Sequence, residues 1–131
     1  MTLTGKTKAQ VEAEKLEQAR QTAIQAINSH KDILFKRGFN FNGEQYPLDI
    51  GAQVAYQALQ NAITLGIKLS AFVITTDNKT IMMDADTFGL FVLQAFKNAS
   101  DIVLQARGIK DKILAETDID IIQSLKEEFC K

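Results

Sequence analysis

The chain has no tryptophan, one proline, one cysteine and one histidine in 131 residues. Each scarcity excludes something. A lone cysteine, Cys130, has no partner for an intramolecular disulfide, so the sequence does not ask for an oxidising compartment. It reads as an inert, exposed thiol near the C-terminus. A lone histidine, His30, with no cysteine near it in sequence, supplies neither the ligand set of a zinc site nor a nucleophile–base pair. It reads as a half-buried residue at the edge of a helix face. Neither residue is expected to carry activity. No sign of charge dominates either: 15 basic and 16 acidic residues give a net charge of -1. With the signs interspersed, there is no basic face of the kind that tracks a nucleic-acid backbone. No run approaches the ~20 apolar residues that cross a bilayer. The opening MTLTGKTKAQ lacks the apolar core of a signal peptide. The expectation is a chain folded in a cytosol, with no membrane and no nucleic acid among its partners.

Other sites of chemistry are also missing from the pattern. The glycines are scattered and form no phosphate-cradling loop. The polar group Asp77, Asn78, Asp84 and Asp86 does not follow the spacing of a calcium loop, so turn and cap roles are expected there. Phe39, Phe41, Tyr46, Phe72, Phe88, Phe91 and Phe96 sit at strand or helix spacing without interleaved arginines, which reads as core rather than a base-stacking platform. No catalytic residue, metal ligand or cofactor site is nominated, and the chain is expected not to be an enzyme.

What is present is organised around residues 72–115. A polar turn, Thr76-Asp77-Asn78-Lys79, lies between two β-branched and apolar runs, Leu69–Thr75 and Thr80–Met83, and predicts a hairpin. Asp84 or Asp86 then caps a long helix from about Ala85 to Glu116. Its stripe runs through Phe88, Phe91, Val92, Ala95, Phe96, Ala99, Val103, Ala106, Ile109 and Ile113 at spacings of three and four. Gly108 interrupts it as a soft spot. Upstream, residues 1–7 read as a flexible leader, and a helix runs from about Lys8 to Lys36 with Leu16, Ala19, Ala23, Ile24, Ile27, Leu34 and Phe35 near one face. Gly38 ends that helix. Asn42-Gly43 predicts a two-residue hairpin turn between Phe39–Phe41 and Tyr46, and Pro47 ends the pairing. Asp49 caps a middle helix to Leu65 whose inner face is expected at Val54, Ala58, Leu59, Ala62 and Ile63, and Gly66 closes it. Thr117 or Asp118 caps a last helix through Phe129, with Ile119, Ile122 and Leu125 inward. The class is α+β: two long antiparallel helices, a middle helix, and two short hairpins forming a small antiparallel sheet, all in one domain spanning 8–131.

A helix of ~30 residues is ~45 Å long, whereas a domain of this size is roughly 36 Å across. The overhang is expected to leave an apolar seam uncovered at Leu16, Ile109 and Ile113. These residues are the candidates for contact with a second copy or a partner helix.

The segments GFNFNGEQYPLDIGAQ, ITTDNKTIMMDADTF and FKNASDIVLQARGIKDKI resemble a domain of unknown function that recurs in tail and tail-fibre proteins of bacteriophages and prophages. The likeness lies in the Gly38-Phe39 step, the Asn42-Gly43 turn and the Asp49 to Gln53 helix opening. It continues in Thr75-Thr76-Asp77-Asn78, the Asp84 cap and the closing Arg107 to Lys112 pattern, and covers roughly residues 19–115. Many members carry a tryptophan just before the Thr-x-Asp-Asn turn, where this chain has Val73-Ile74, so a surface built on that ring is not carried over. The resemblance implies a non-catalytic phage tail component or tail-fibre-associated protein. Its partners would be tail or tail-fibre chains, and it would self-associate, with three-fold symmetry suggested by tail fibres. It would reside in the virion tail, or in the host cytoplasm during assembly. The nearest alternative is a tail-fibre assembly chaperone absent from the mature particle; a small ligand-binding module or hydrolase is a third reading, from another class.

Overall fold

The computed structural model describes residues 5–131. The elements follow the order α1 (Lys8–Arg37), β1 (Phe39–Phe41), β2 (Glu44–Tyr46), α2 (Ile50–Thr64), β3 (Ser70–Ile74), β4 (Thr80–Asp84), α3 (Ala85–Ala115) and α4 (Ile119–Phe129). The α+β expectation holds. The strands, however, form two separate antiparallel pairs, β1–β2 and β3–β4, rather than one sheet.

Local chemistry explains the boundaries. Asp49 accepts from the Ala52 amide at 3.3 Å, Asp84 from Thr87 at 2.7 Å and Asp118 from Asp120 at 2.9 Å. Each carboxylate thereby satisfies an amide that the first turn of a helix leaves free. At the start of α1, Thr7 and Gln10 form a reciprocal capping box. The Thr7 hydroxyl accepts from the Gln10 amide at 3.1 Å, and the Gln10 side chain accepts from the Thr7 amide at 2.8 Å. Thr7 is therefore fixed as a cap rather than part of a loose leader, while residues 1–4 of that leader lie outside the described residues. Asn42 and Gly43 both take positive φ, +50° and +86°, the combination a two-residue turn between right-twisted strands requires.

The chain packs as two compact units. The first joins the described residues 5–31 to Leu104–Lys131, and the second is Asp32–Val103. Each has its own core. In the first, Ala23 and Ile27 of α1, Ala106 and Ile113 of α3 and Ile122 of α4 are buried, with Leu16, Ile24, Ile109, Leu125 and Phe129 packed against them. The α1 and α3 segments run antiparallel there. Arg20 donates to the Glu116 carbonyl at 2.6 Å, and Lys110 donates to the Asn28 side chain at 3.1 Å.

In the second unit the core gathers around Phe91. Its ring lies 5.2 Å from that of Phe39, 4.9 Å from Tyr46, 4.8 Å from Tyr56 and 5.6 Å from Phe88, measured between centroids. Helix α2 turns part of the expected face inward, Leu59 and Ile63, but not Val54 or Ala58. Tyr56 is buried, with Ala52, Leu59 and Ile63 packed against the core, while Val54 is 63% exposed and Ala58 is also exposed. Apolar residues surround this short helix, so periodicity alone does not choose a side, and the largest ring decides it. On α3, Phe96 and Val103 are each 47% exposed, and Ile102 packs against the core instead. Ile119, expected inward on α4, is 42% exposed.

Candidate interaction surfaces

The three nominated contact residues come together, but within the chain. Ile113 is fully buried, and Leu16 and Ile109 are half-buried against the same core. The cover is α4, which folds back to place Ile122, Leu125 and Phe129 over the seam expected to be open. The return of α4 supplies cover that the lengths of α1 and α3 alone do not reveal. With its side chain enclosed, Ile113 offers nothing to a second chain. Ile113→Lys should accordingly act on folding, costing at least about 3 kcal/mol by placing a charge in an apolar core. Leu16→Lys should cost much less, because a half-buried lysine keeps its ammonium in water. Hydrogen exchange at the Ile122 and Leu125 amides checks this: protection should collapse in the first variant and persist in the second.

His30 is more enclosed than expected. It is buried on α1, with its ring edge-on to Phe129 at 5.6 Å. Cys130 is half-buried rather than exposed, with Sγ 3.6 Å from the Ala26 carbonyl. Burial pushes its thiol pKa up, and Lys126 opposes the shift. A raised pKa leaves less thiolate, the reactive form. Among the described residues, no three His, Cys, Asp or Glu side chains gather to hold a metal ion. No helix among them is long and apolar enough to cross a membrane. The first unit also carries two open hollows. One of about 360 Å³ lies beside Gly108, between Leu104 and Phe129. The other, of about 630 Å³, lies between Leu16 and Asp118.

The second unit has the more distinctive surface. The β3–β4 register sets Phe72 opposite Met82 and Ile74 opposite Thr80. Alternation turns Ala71, Val73 and Met83 into the core and leaves Phe72, Ile74 and Met82 outside, each more than half exposed. A groove of about 220 Å³ adjoins them, lined by Pro47, Ala52, Ala55, Tyr56, Leu59, Phe72, Val73 and Ile74. Its α2 wall is fixed by Tyr56, whose hydroxyl donates to the Pro47 carbonyl at 2.6 Å. Burial raises the pKa of that phenol, and the charge of Asp49 and the neighbouring Tyr46 add to the shift. The Tyr56 hydroxyl therefore stays a neutral donor.

The turn beyond β3 is held by polar contacts. The Thr75 hydroxyl donates to Asp77 at 2.5 Å, and Lys79 pairs with Asp77 and Glu44 at 3.5 Å each. The hydrogen bond from Thr75 leads the causes that lower the Asp77 pKa, with Lys79 adding to it. Asp77 thus serves as a turn group and Asp84 as a helix cap, and the hydrogen bonds that Asp84 accepts from Thr87 lower its pKa. Sequence reasoning did not find the groove. Its only signal was the alternation of Phe72 and Ile74 with Val73, which marks two strand faces but not what flanks them.

Comparison with protein-family models, with curated proteins and with solved structures finds no match to this chain.

Proposed function

We propose that this chain is a non-enzymatic phage tail component or tail-fibre-associated protein that works through contact with other proteins. One observation carries the contact reading: the apolar surface of the Asp32–Val103 unit. Phe72, Ile74 and Met82 form one exposed sheet face. Leu65, Ile67 and Leu69, just before β3, are each more than 70% exposed. Apolar groups gathered on a surface in this way mark interaction sites. The tail assignment draws on the resemblance of the two hairpin segments and the helix openings. Tail or tail-fibre chains are then the partners, and self-association belongs to the same reading.

Mass spectrometry of purified virions from the phage or prophage that encodes the chain tests the assignment. Stoichiometric recovery in particles is the expected result. Recovery only from lysates, in complex with fibre chains, would replace the structural role by that of an assembly chaperone. Absence from both would remove the tail reading. Sedimentation of the isolated chain at micromolar concentration tests self-association separately, and a clean monomer would leave heterologous contacts alone.

A further inference from the structure

From the open edge of β3 we infer a docking site for a single extended, uncharged peptide strand, held between β3 and α2. The inference deepens the protein-contact reading and rests on it, but not on the tail assignment. The groove is lined by the consecutive residues Phe72, Val73 and Ile74. Successive strand residues point to opposite faces, so a groove touching all three runs along the edge of the strand, not over one face. The hydrogen-bond pattern shows which backbone groups meet it. Thr75 donates its amide to the Lys79 carbonyl, so Thr75 and, two residues back, Val73 turn their backbone groups toward β4. Phe72 and Ile74 turn theirs to the open edge.

The next outward amide, Thr76, is already taken by the Gln45 carbonyl of β2 at 2.9 Å. Beyond Gln45 that path stops at Pro47, which has no amide hydrogen to offer and leads away into α2. Among the described residues no backbone group outside the hairpin bonds to Phe72 or Ile74. The fold thus begins a third strand beside β3 and abandons it after one bond.

Three observations fix the occupant. Its backbone must be extended, because the donors and acceptors of Phe72 and Ile74 are spaced for a strand. Its inward side chains must be neutral, because among the described residues no ionised side chain lines the groove. It must be a lone segment, because α2 flanks the edge where an inserted strand would need to carry a second strand of its own. A second copy docking through β3 or β4 would bring such a neighbour. At about 220 Å³ the groove holds one or two side chains, below the ~300–1,000 Å³ of typical small-molecule sites.

The test is titration of the ¹⁵N-labelled full chain with a synthetic peptide, acetyl-Lys-Thr-Val-Thr-Val-Thr-Lys-amide. The lysines lie outside the core for solubility. The expected result is saturable shifts centred on the Phe72 and Ile74 amides, with slowed exchange at both, at peptide concentrations up to ~1 mM, a weak but measurable affinity. N-methylation of the peptide at alternate residues should weaken binding at least about tenfold by removing edge hydrogen bonds. Ala55→Arg, at an exposed position of the groove wall, should abolish the shifts while leaving the thermal midpoint in place. Absence of shifts up to that concentration, shifts centred elsewhere, or equal binding of the N-methylated peptide would each overturn the inference. None of these outcomes bears on whether the chain is found in virions.

Discussion

Phe91→Ala should remove about 3–5 kcal/mol of stability, a large part of the ~5–15 kcal/mol available to an ordinary domain. The residue is fully buried and meets five other aromatic rings within 5.6 Å. Those rings come from β1, β2, α2 and α3 itself, so the lost side chain is the one that all these elements share. The surrounding rings are large and tied to short strands, which limits how far they can collapse into the space. Edge-to-face pairs are worth roughly 0.5–1.5 kcal/mol beyond their buried area, and Phe91 makes that geometry with Phe41, Tyr46 and Tyr56. Phe96→Ala is the matched control. With 47% of Phe96 exposed, it should cost about 1 kcal/mol or less. Urea denaturation of both variants, read by near-ultraviolet dichroism of the aromatic core, separates them. Equal midpoint shifts would place the centre of the core elsewhere.

These two phenylalanines also show what the sequence makes legible. Both fall on the same three-and-four stripe, and periodicity gives them equal standing. The structure distinguishes them because a helix face is wider than the contact it makes, and the rings of β1 and β2 reach only Phe91. Element ends were legible within a residue or so, because their causes are local. Asp49, Asp84 and Asp118 cap by reaching amides two or three residues ahead, and Asn42-Gly43 turns by its own φ preferences. What needed the third dimension was less legible. The return of α4 over Ile113 depends on packing between segments far apart in sequence. So does the division into two cores.

The groove was hidden for a similar reason. Pro47 reads in sequence as the end of β2, which it is. Its second effect, leaving the edge of β3 without a continuing neighbour, appears only once the Gln45–Thr76 bond shows that β2 and β3 approach each other. Pro47 likewise explains why the two hairpins, joined by that one bond, did not merge into one sheet. Of the expected contact residues, Ile113 is enclosed within the chain, while Leu16 and Ile109 are half-buried. Leu16, Ile109 and Ile113 have the spacing of an open seam, and spacing does not reveal whether the chain supplies its own cover.

Gly38→Ala should be at least as damaging as Phe91→Ala, although it adds a single methyl group. Gly38 closes α1, donating its amide to the Leu34 carbonyl at 2.9 Å, and takes φ +73°. The left-handed region alone costs an L-residue roughly 1–2 kcal/mol. Here the added Cβ would also lie 1.6 Å from the Tyr46 carbonyl oxygen and 2.8 Å from the Pro47 Cα. These are backbone atoms, so no flexible side chain can move aside. β2 would have to shift, taking with it Tyr46, which is paired with Phe39 and packed on Phe91. Gly66 separates the two causes. It has almost the same φ, +75°, but a Cβ there meets nothing within 4 Å. Gly66→Ala should therefore cost only the conformational penalty, and Gly66→Asn less, since asparagine tolerates this backbone region. Gly38→Asn should gain no such relief, because its Cβ meets the same carbonyl. Thermal melts of the four variants check the ordering. Recovery of wild-type stability by Gly38→Asn would show that backbone conformation, rather than the close passage of β2, is what requires glycine at the end of α1.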